Sequence, residues 1–217
     1  MAPVLGYWNI RGLGQSIRLL LSYTGTEFED KMYVPGPPPD FSPSDWTSVK
    51  FTLGLDFPNL PYYIDGDVKV TQSNAVLRYI ARKHDMCGKT EEEKTRVDIL
   101  ENQAMDMRRA FVKLCYETYN TKKQEYLDDL PAAMKLLSDF LGDRPWFAGD
   151  NITFVDFLIY ELLDVHQELD SSCLDGKKNL QDFVKNFEAL PAMKKYMASP
   201  QFLKTPLNGP MAIFGNK

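Results

Sequence analysis

A chain of 217 residues with a formal net charge of −5 is long enough for one large core or two modest ones, and its scattered basic residues leave no nucleic-acid footprint. Its cysteines, Cys87, Cys115 and Cys173, are odd in number, far apart and without a Cys-x-x-Cys pair, which argues against a disulfide framework, a zinc site or dithiol redox chemistry. The start, Met1-Ala2-Pro3-Val4-Leu5, has no basic stretch followed by a long apolar run, and no segment is long enough to span a bilayer, so a cytoplasmic protein is expected.

Val4 to Trp8 reads as a buried strand. Ile17, Leu20, Leu21 and Thr24 then repeat at helical spacing until Gly25. Gly12-Leu13-Gly14 between them is too short for a dinucleotide fingerprint. Phe28 to Val34 holds a second strand, and strand, helix and strand in this span fit a parallel crossover. Pro35-Gly36-Pro37-Pro38-Pro39 opens an exposed loop that runs to Asp45, and Trp46 to Leu53 is expected as a short helix carrying Trp46 and Lys50.

The stretch from Asp56 to Ala81 is the densest in turn, strand and helix signals. Pro58 and Pro61 push their neighbours out of the helical region, leaving Asn59 and Leu60 extended with backbone groups free to pair outward. Tyr62 to Ile64 and Val68 to Val70 flank Asp65-Gly66-Asp67 as a hairpin. A helix follows Thr71-Gln72-Ser73, with its stripe at Val76, Tyr79, Ile80 and Lys83. Its first turn offers unpaired N–H groups and a positive dipole end, which suit a carboxylate. An ordinary side-chain-capped helix fits the same residues.

From Lys83 to Thr90 the chain turns polar, and helix signals dominate after Glu91. The expected division is 1–82, a linker at 83–90, and a helical unit at 91–217. Val97, Leu100, Ala104, Met107, Phe111 and Leu114 form a sustained seam, and Asn102, Met105, Arg109, Val112 and Tyr116 form a second row. Packing against a neighbouring helix is the plain reading of that second row. Leu127 to Leu141 is expected as a helix with Pro131 in its first turn. Thr153 and Asp156 fit a capping box with Ile152 and Phe157 as its staple, starting an almost wholly apolar helix from Phe154 to about Val165. Leu180, Phe183, Val184 and Phe187 give another apolar face, and Pro206 to Lys217 reads as a tail over the surface.

Placed together, Leu5-Gly6-Tyr7-Trp8-Asn9-Ile10-Arg11-Gly12, the run Leu53-Gly54-Leu55-Asp56-Phe57-Pro58-Asn59-Leu60-Pro61-Tyr62, and Thr71-Gln72-Ser73-Asn74 resemble a mu-class glutathione S-transferase. Leu100-Glu101-Asn102-Gln103-Ala104-Met105-Asp106, Arg144-Pro145-Trp146-Phe147-Ala148-Gly149-Asp150 and the ending Gly215-Asn216-Lys217 extend the resemblance over essentially the whole chain. It implies an α/β thioredoxin-like N-terminal domain followed by an all-α C-terminal domain. Reduced glutathione would be a co-substrate, with no cofactor and no metal.

On this resemblance, Leu60-Pro61 is a cis bond whose preceding residue pairs with the cysteinyl backbone of glutathione. Gln72 and Ser73 take the γ-glutamyl carboxylate, Trp46 and Lys50 the glycyl carboxylate, Asn59 another backbone group, and Trp8 is a further glutathione-binding residue that also lines the electrophile pocket. Asp106 reaches across a homodimer interface to the γ-glutamyl amine of the partner's glutathione. Phe57 resembles an aromatic key inserted into the neighbouring subunit, and Arg78, Asp98 and Glu101 match positions that pair at that interface. Ile10, Leu13, Arg109, Val112, Tyr116 and Asn208 form the electrophile pocket. Arg109 and Asn208 depart from the family's common apolar or aromatic choices and imply a more polar pocket. Pro43 stands where several members carry an arginine, which leaves the glycyl end to Trp46 and Lys50.

Tyr7 carries the chemistry in this reading. A thiol of pKa about 8.5 is mostly protonated at neutral pH, and a phenolic O–H donated to sulfur favours the thiolate. A shift of two units needs about 2.7 kcal/mol, within reach of one charge-assisted hydrogen bond plus backbone dipoles. The thiolate then attacks an apolar electrophile by aromatic substitution, conjugate addition or epoxide opening. Tyr116 either donates to the charge that develops there or is a packed helix tyrosine. A non-enzymatic carrier of apolar ligands and a glutathione-dependent isomerase are the alternatives on the same site. A thiol oxidoreductase would need a cysteine where Tyr7 and Trp8 stand, and His84 and His166 have no metal-ligand spacing.

Overall fold

In a computed structural model that describes residues 2–217, the first strand, β1 (Val4–Trp8), runs parallel to β2 (Glu29–Tyr33) and antiparallel to β3 (Tyr62–Asp65). The hairpin partner β4 (Val68–Thr71) completes a four-stranded sheet in the order β2-β1-β3-β4. The crossover between the parallel strands is α1 (Gln15–Tyr23), which packs with α3 (Ser73–Lys83). Gly6 in β1 is opposite Tyr62, and a Cβ there would lie 2.1 Å from the tyrosine ring, so only glycine fits that register.

Helices make up the rest. α4 (Glu91–Lys113) starts at a capping box in which Thr90 and Glu93 satisfy each other's N–H groups at 3.1 Å. All six members of the expected seam, Val97 through Leu114, are buried. α6 (Phe154–Leu169) starts at the expected Thr153 and Asp156 box and is enclosed along most of its length. It packs against α1, α3, α4 and α7 (Lys178–Ala189), so one apolar core continues from the sheet's helices into the helical part. Each fully buried Leu, Ile or Phe in it stabilises the fold by about 1.5–3 kcal/mol.

Three segments differ from expectation. The helix at Trp46 is only α2 (Ser44–Thr47), and Lys50 lies in the turns that follow. There the Ser48 and Thr52 hydroxyls bond to the carbonyls of Asp45 and Val49, a local competitor to helix continuation. The helix expected from Leu127 begins earlier, as α5 (Tyr119–Leu141), because a π-helical turn at Leu114–Thr118 carries α4 into it without a break. Pro131 is therefore interior, not in the first turn. It leaves the Leu127 carbonyl without its helical donor, and Pro131 itself is exposed, so water can serve. A final helix, α8 (Pro191–Met197), had its signal in Pro191 at the first helical position.

The tail is more than a surface strap. Arg11 N–H donates to the Pro206 carbonyl and Gly12 N–H to that of Leu207, at 2.9 and 3.1 Å, and Leu207, Asn208 and Ala212 are buried. The Arg11 side chain, 2% exposed, donates to Glu161 on α6 at 2.6 and 3.1 Å and to Asp164 at 2.5 Å. Burial pushes the Glu161 carboxyl up and the facing guanidinium pulls it down. Removing the cation alone takes both hydrogen bonds from the buried carboxylate and leaves it only Arg108, at 4.0 Å. Arg11→Met is expected to lower the unfolding free energy by about 3–5 kcal/mol in urea titrations. A loss below about 1 kcal/mol would show that the pair does not hold the two parts together.

Candidate active site

Just past the end of β1 the chain turns sharply through Asn9 to Gly14 and wraps the Tyr7 ring. Tyr7 is 6% exposed, and the Leu13 N–H donates to its phenolic oxygen at 2.9 Å. Gly12, at φ +41°, lets the backbone pass so close that a Cβ there would lie 2.5 Å from that oxygen. A phenol has one proton and two lone pairs, so with one lone pair filled by Leu13 its proton is free for another acceptor. Burial pushes the Tyr7 pKa up, against smaller opposing effects of the Leu13 N–H, Arg108 and Arg18. The hydroxyl therefore stays protonated at neutral pH and is a donor, not a base.

Beside the phenol opens a cleft of about 420 Å³. Tyr7, Ile10, Gly12 and Leu13 form one wall, Met105, Arg108, Arg109, Val112 and Tyr116 the other, and Asn208 of the tail lies at its edge. Four members of the second row, Met105, Arg109, Val112 and Tyr116, thus border open space, while Asn102 is exposed outside the cleft. Tyr116 lies in the π-helical turn, a departure from α-helix that often occurs at functional positions. Its hydroxyl accepts from Gly209 N–H at 2.6 Å, which again leaves its own proton available. Burial, first among several causes, pushes its pKa up as well. The Asn208 amide is turned away to the Phe214 carbonyl at 3.0 Å, so the polarity expected from that residue is largely spent on the tail.

The remaining expected residues spread from the Tyr7 side of the sheet to the start of α3. No side chain caps α3, and Gln72 before it sits at φ +73°, a conformation a non-glycine residue holds only under constraint. The ordinary capped-helix reading is thereby excluded, and the first-turn N–H groups beside buried Ser73 and exposed Gln72 lack a side-chain acceptor. Leu60-Pro61 is cis, and the Leu60 N–H is occupied by Asn59 Oδ1 at 2.9 Å. Trp46 is buried, stacked on Tyr62 with ring centres 5.9 Å apart, while Trp8 meets Tyr33 edge-on. The Lys50 amine lies 5.4 Å from the Phe51 ring centre and is in no ion pair among the described residues.

Away from the cleft, Phe57 is 73% exposed. Arg78 pairs within the same chain with Asp98 at 2.7 Å and with Glu101. Asp106 is exposed on α4, its one ionic contact among the described residues being Arg109 at 3.4 Å. Sequence reasoning missed Arg108, which lines the cleft while nine-tenths buried. Its signal was a charge on the buried row Glu101, Ala104, Phe111 and Cys115. Burial pushes the Cys115 thiol up to about 11, leaving it protonated and inert as a nucleophile at neutral pH.

The family model for the glutathione S-transferase N-terminal domain matches residues 3–82, and that for the glutathione S-transferase C-terminal domain matches 105–200. The chain is 57% identical over 218 aligned positions to glutathione S-transferase Mu 4 of Mus musculus and 56% identical to Mu 4 of Homo sapiens, with full coverage of both partners in each case. Among solved structures it is similar to the glutathione S-transferase Blo t 8, with a TM-score of 0.90 and 34% identity over 98% of this chain and 99% of that one. From sheet to tail, the chain belongs to the glutathione S-transferase family and groups with its Mu class.

Proposed function

We propose that the chain conjugates the thiolate of reduced glutathione to electrophilic, largely apolar small molecules, a detoxification chemistry. The observation that carries this is the Tyr7 phenol, held by the Leu13 N–H with its proton free beside the cleft. The thiol proton passes to solvent, and the Tyr7 O–H donates to the resulting sulfur anion. The electrophile occupies the cleft, and its reacting carbon forms the new bond to sulfur. In conjugate addition or epoxide opening, the negative charge appears on an oxygen, to which the free proton of Tyr116 is available.

The rest of glutathione extends away from Tyr7 in this reading. Its γ-glutamyl carboxylate lies on the uncapped start of α3 with Gln72 and Ser73, where N–H groups and dipole favour an anion. Its cysteinyl backbone takes the Leu60 N–H next to Pro61, displacing Asn59 Oδ1 to another backbone group of the tripeptide. Trp46 and the unpaired Lys50 hold the glycyl carboxylate, with Trp8 alongside. In this reading residues 1–82 bind glutathione, 83–90 connect, and 91–217 contribute to the electrophile pocket.

The family is typically dimeric, and the chain is proposed to act as a cytoplasmic homodimer. The exposed Phe57 ring supports a key that enters the partner, and the Arg78, Asp98 and Glu101 cluster supports a rigid charged surface beside it. Asp106, exposed and only weakly paired, is then available to the γ-glutamyl amine of glutathione in the partner subunit.

Conjugation of a small chlorinated dinitroarene at saturating glutathione tests the reading. Tyr7→Phe is expected to lose about 10- to 100-fold in rate, equivalent to about 1.4–2.7 kcal/mol of transition-state stabilisation. Wild-type protein that binds glutathione but conjugates nothing would instead be a carrier. Gly12→Ala keeps every polar group but drives a methyl into the phenol oxygen, and a misplacement of about 1 Å costs on the order of 100-fold in kcat/KM. Full activity in that variant would mean that the position of Tyr7 does not matter.

A further inference from the structure

Charge is distributed unevenly around the cleft. Arg108, Arg109 and Lys113 line it against a single acid, Glu117, in a chain whose formal net charge is −5. None of the three cations is neutralised by a close private partner. Among the described residues Arg109 pairs only with Asp106, at 3.4 Å, with both side chains more than two-thirds exposed, a pairing that water and salt weaken. Lys113 is exposed and in no ion pair among the described residues. Arg108 reaches Glu161 at 4.0 Å, but that carboxylate already takes two hydrogen bonds from Arg11, and Arg108 Nε is buried without a partner.

The cations divide by position. Arg108 is nine-tenths buried and its charge reaches the Tyr7 phenol, whereas the Arg109 and Lys113 side chains are exposed. Those two lie one helical turn apart on the outer edge of α4, so their field falls on the part of a ligand remote from sulfur. Apolar walls at Ile10, Leu13, Met105 and Val112 present low-dielectric surface that focuses that field along the cleft.

We propose that the preferred electrophile is an anion: an apolar reactive body with a carboxylate that faces Arg109 and Lys113 while its reacting carbon faces Tyr7. This rests on the glutathione-transfer reading and narrows its second substrate. With a chloronitroarene acid, the sulfur–carbon bond forms from the thiolate lone pair. The carbon–chlorine bond breaks, chloride leaves with the bonding electrons, and the thiol proton has gone to solvent. The remote carboxylate is untouched by the reaction and serves only to orient it.

A chloronitrobenzoate, with chlorine para to the carboxylate, is compared with its neutral benzamide, which has nearly the same shape. Each kcat/KM is divided by the uncatalysed rate with glutathione in the same buffer. The benzoate is expected to be preferred by about 10-fold at low ionic strength, with the preference shrinking several-fold near about 1 M salt. In the double variant Arg109→Met, Lys113→Met the ratio is expected to fall to about 1, and Arg109→Lys alone is expected to keep it. Conjugation of both compounds with no preference for the benzoate overturns this inference and leaves glutathione transfer standing. A preference that survives the double variant also overturns it. Conjugation of neither compound, with the chlorinated dinitroarene still turned over, overturns this inference alone, and failure on the dinitroarene as well removes the transfer reading with it.

Discussion

The buried ion pair between Arg11 and Glu161 is the constraint on which the site depends. Two charges taken out of water cost several kcal/mol each, and geometry must return that cost through short, multiple hydrogen bonds. Here the guanidinium meets Glu161 twice and Asp164 once, while its own backbone N–H and that of Gly12 hold the tail. A six-residue loop, 9–14, is thereby anchored to the central helix of the helical part and to the C-terminal segment at once. Its conformation determines where the Leu13 N–H points, and so which lone pair of Tyr7 is filled.

From that anchoring follows a division of chemical labour. Burial makes Tyr7 a poor acid, and the loop makes it an oriented donor, so it can stabilise a thiolate while keeping its own proton. The same logic recurs at Tyr116, whose acceptor side is filled by Gly209 N–H of the tail. Two phenols, each with one lone pair filled and its proton free, face one cleft; in the proposed reaction one is suited to charge on the attacking sulfur and the other to charge on the receiving molecule. Donors fixed before the reaction need no reorganisation as charge develops, which is the main source of electrostatic catalysis.

Much of this was legible wherever the signal was local and periodic. The strand at Val4, the hairpin around Gly66, the seam from Val97 to Leu114 and the Thr153 box were all readable because burial on one face imposes a spacing. What failed depended on partners distant in sequence or on continuity between elements. Nothing near Leu127 announces that a π-helical turn at 114–118 removes the expected helix start, and Ser48 and Thr52 end a helix by side-chain bonds that periodicity does not register. Nothing next to Arg11 or Arg108 in sequence marks them as buried, because Glu161 and the Tyr7 wall of the cleft lie far along the chain. The tail carries no period because its order comes from backbone bonds to Arg11, Gly12 and Tyr116.

Direct spectroscopic titration of the thiol of bound glutathione, at equilibrium and without any electrophile, tests the central claim about Tyr7. The account predicts a bound thiol that ionises well below the free value of about 8.5, and that returns toward it in Tyr7→Phe with glutathione still bound. A bound thiol whose titration is the same in wild type and Tyr7→Phe would contradict it. The thiolate would then owe its stability to other groups, and the oriented phenol would not be the catalytic device.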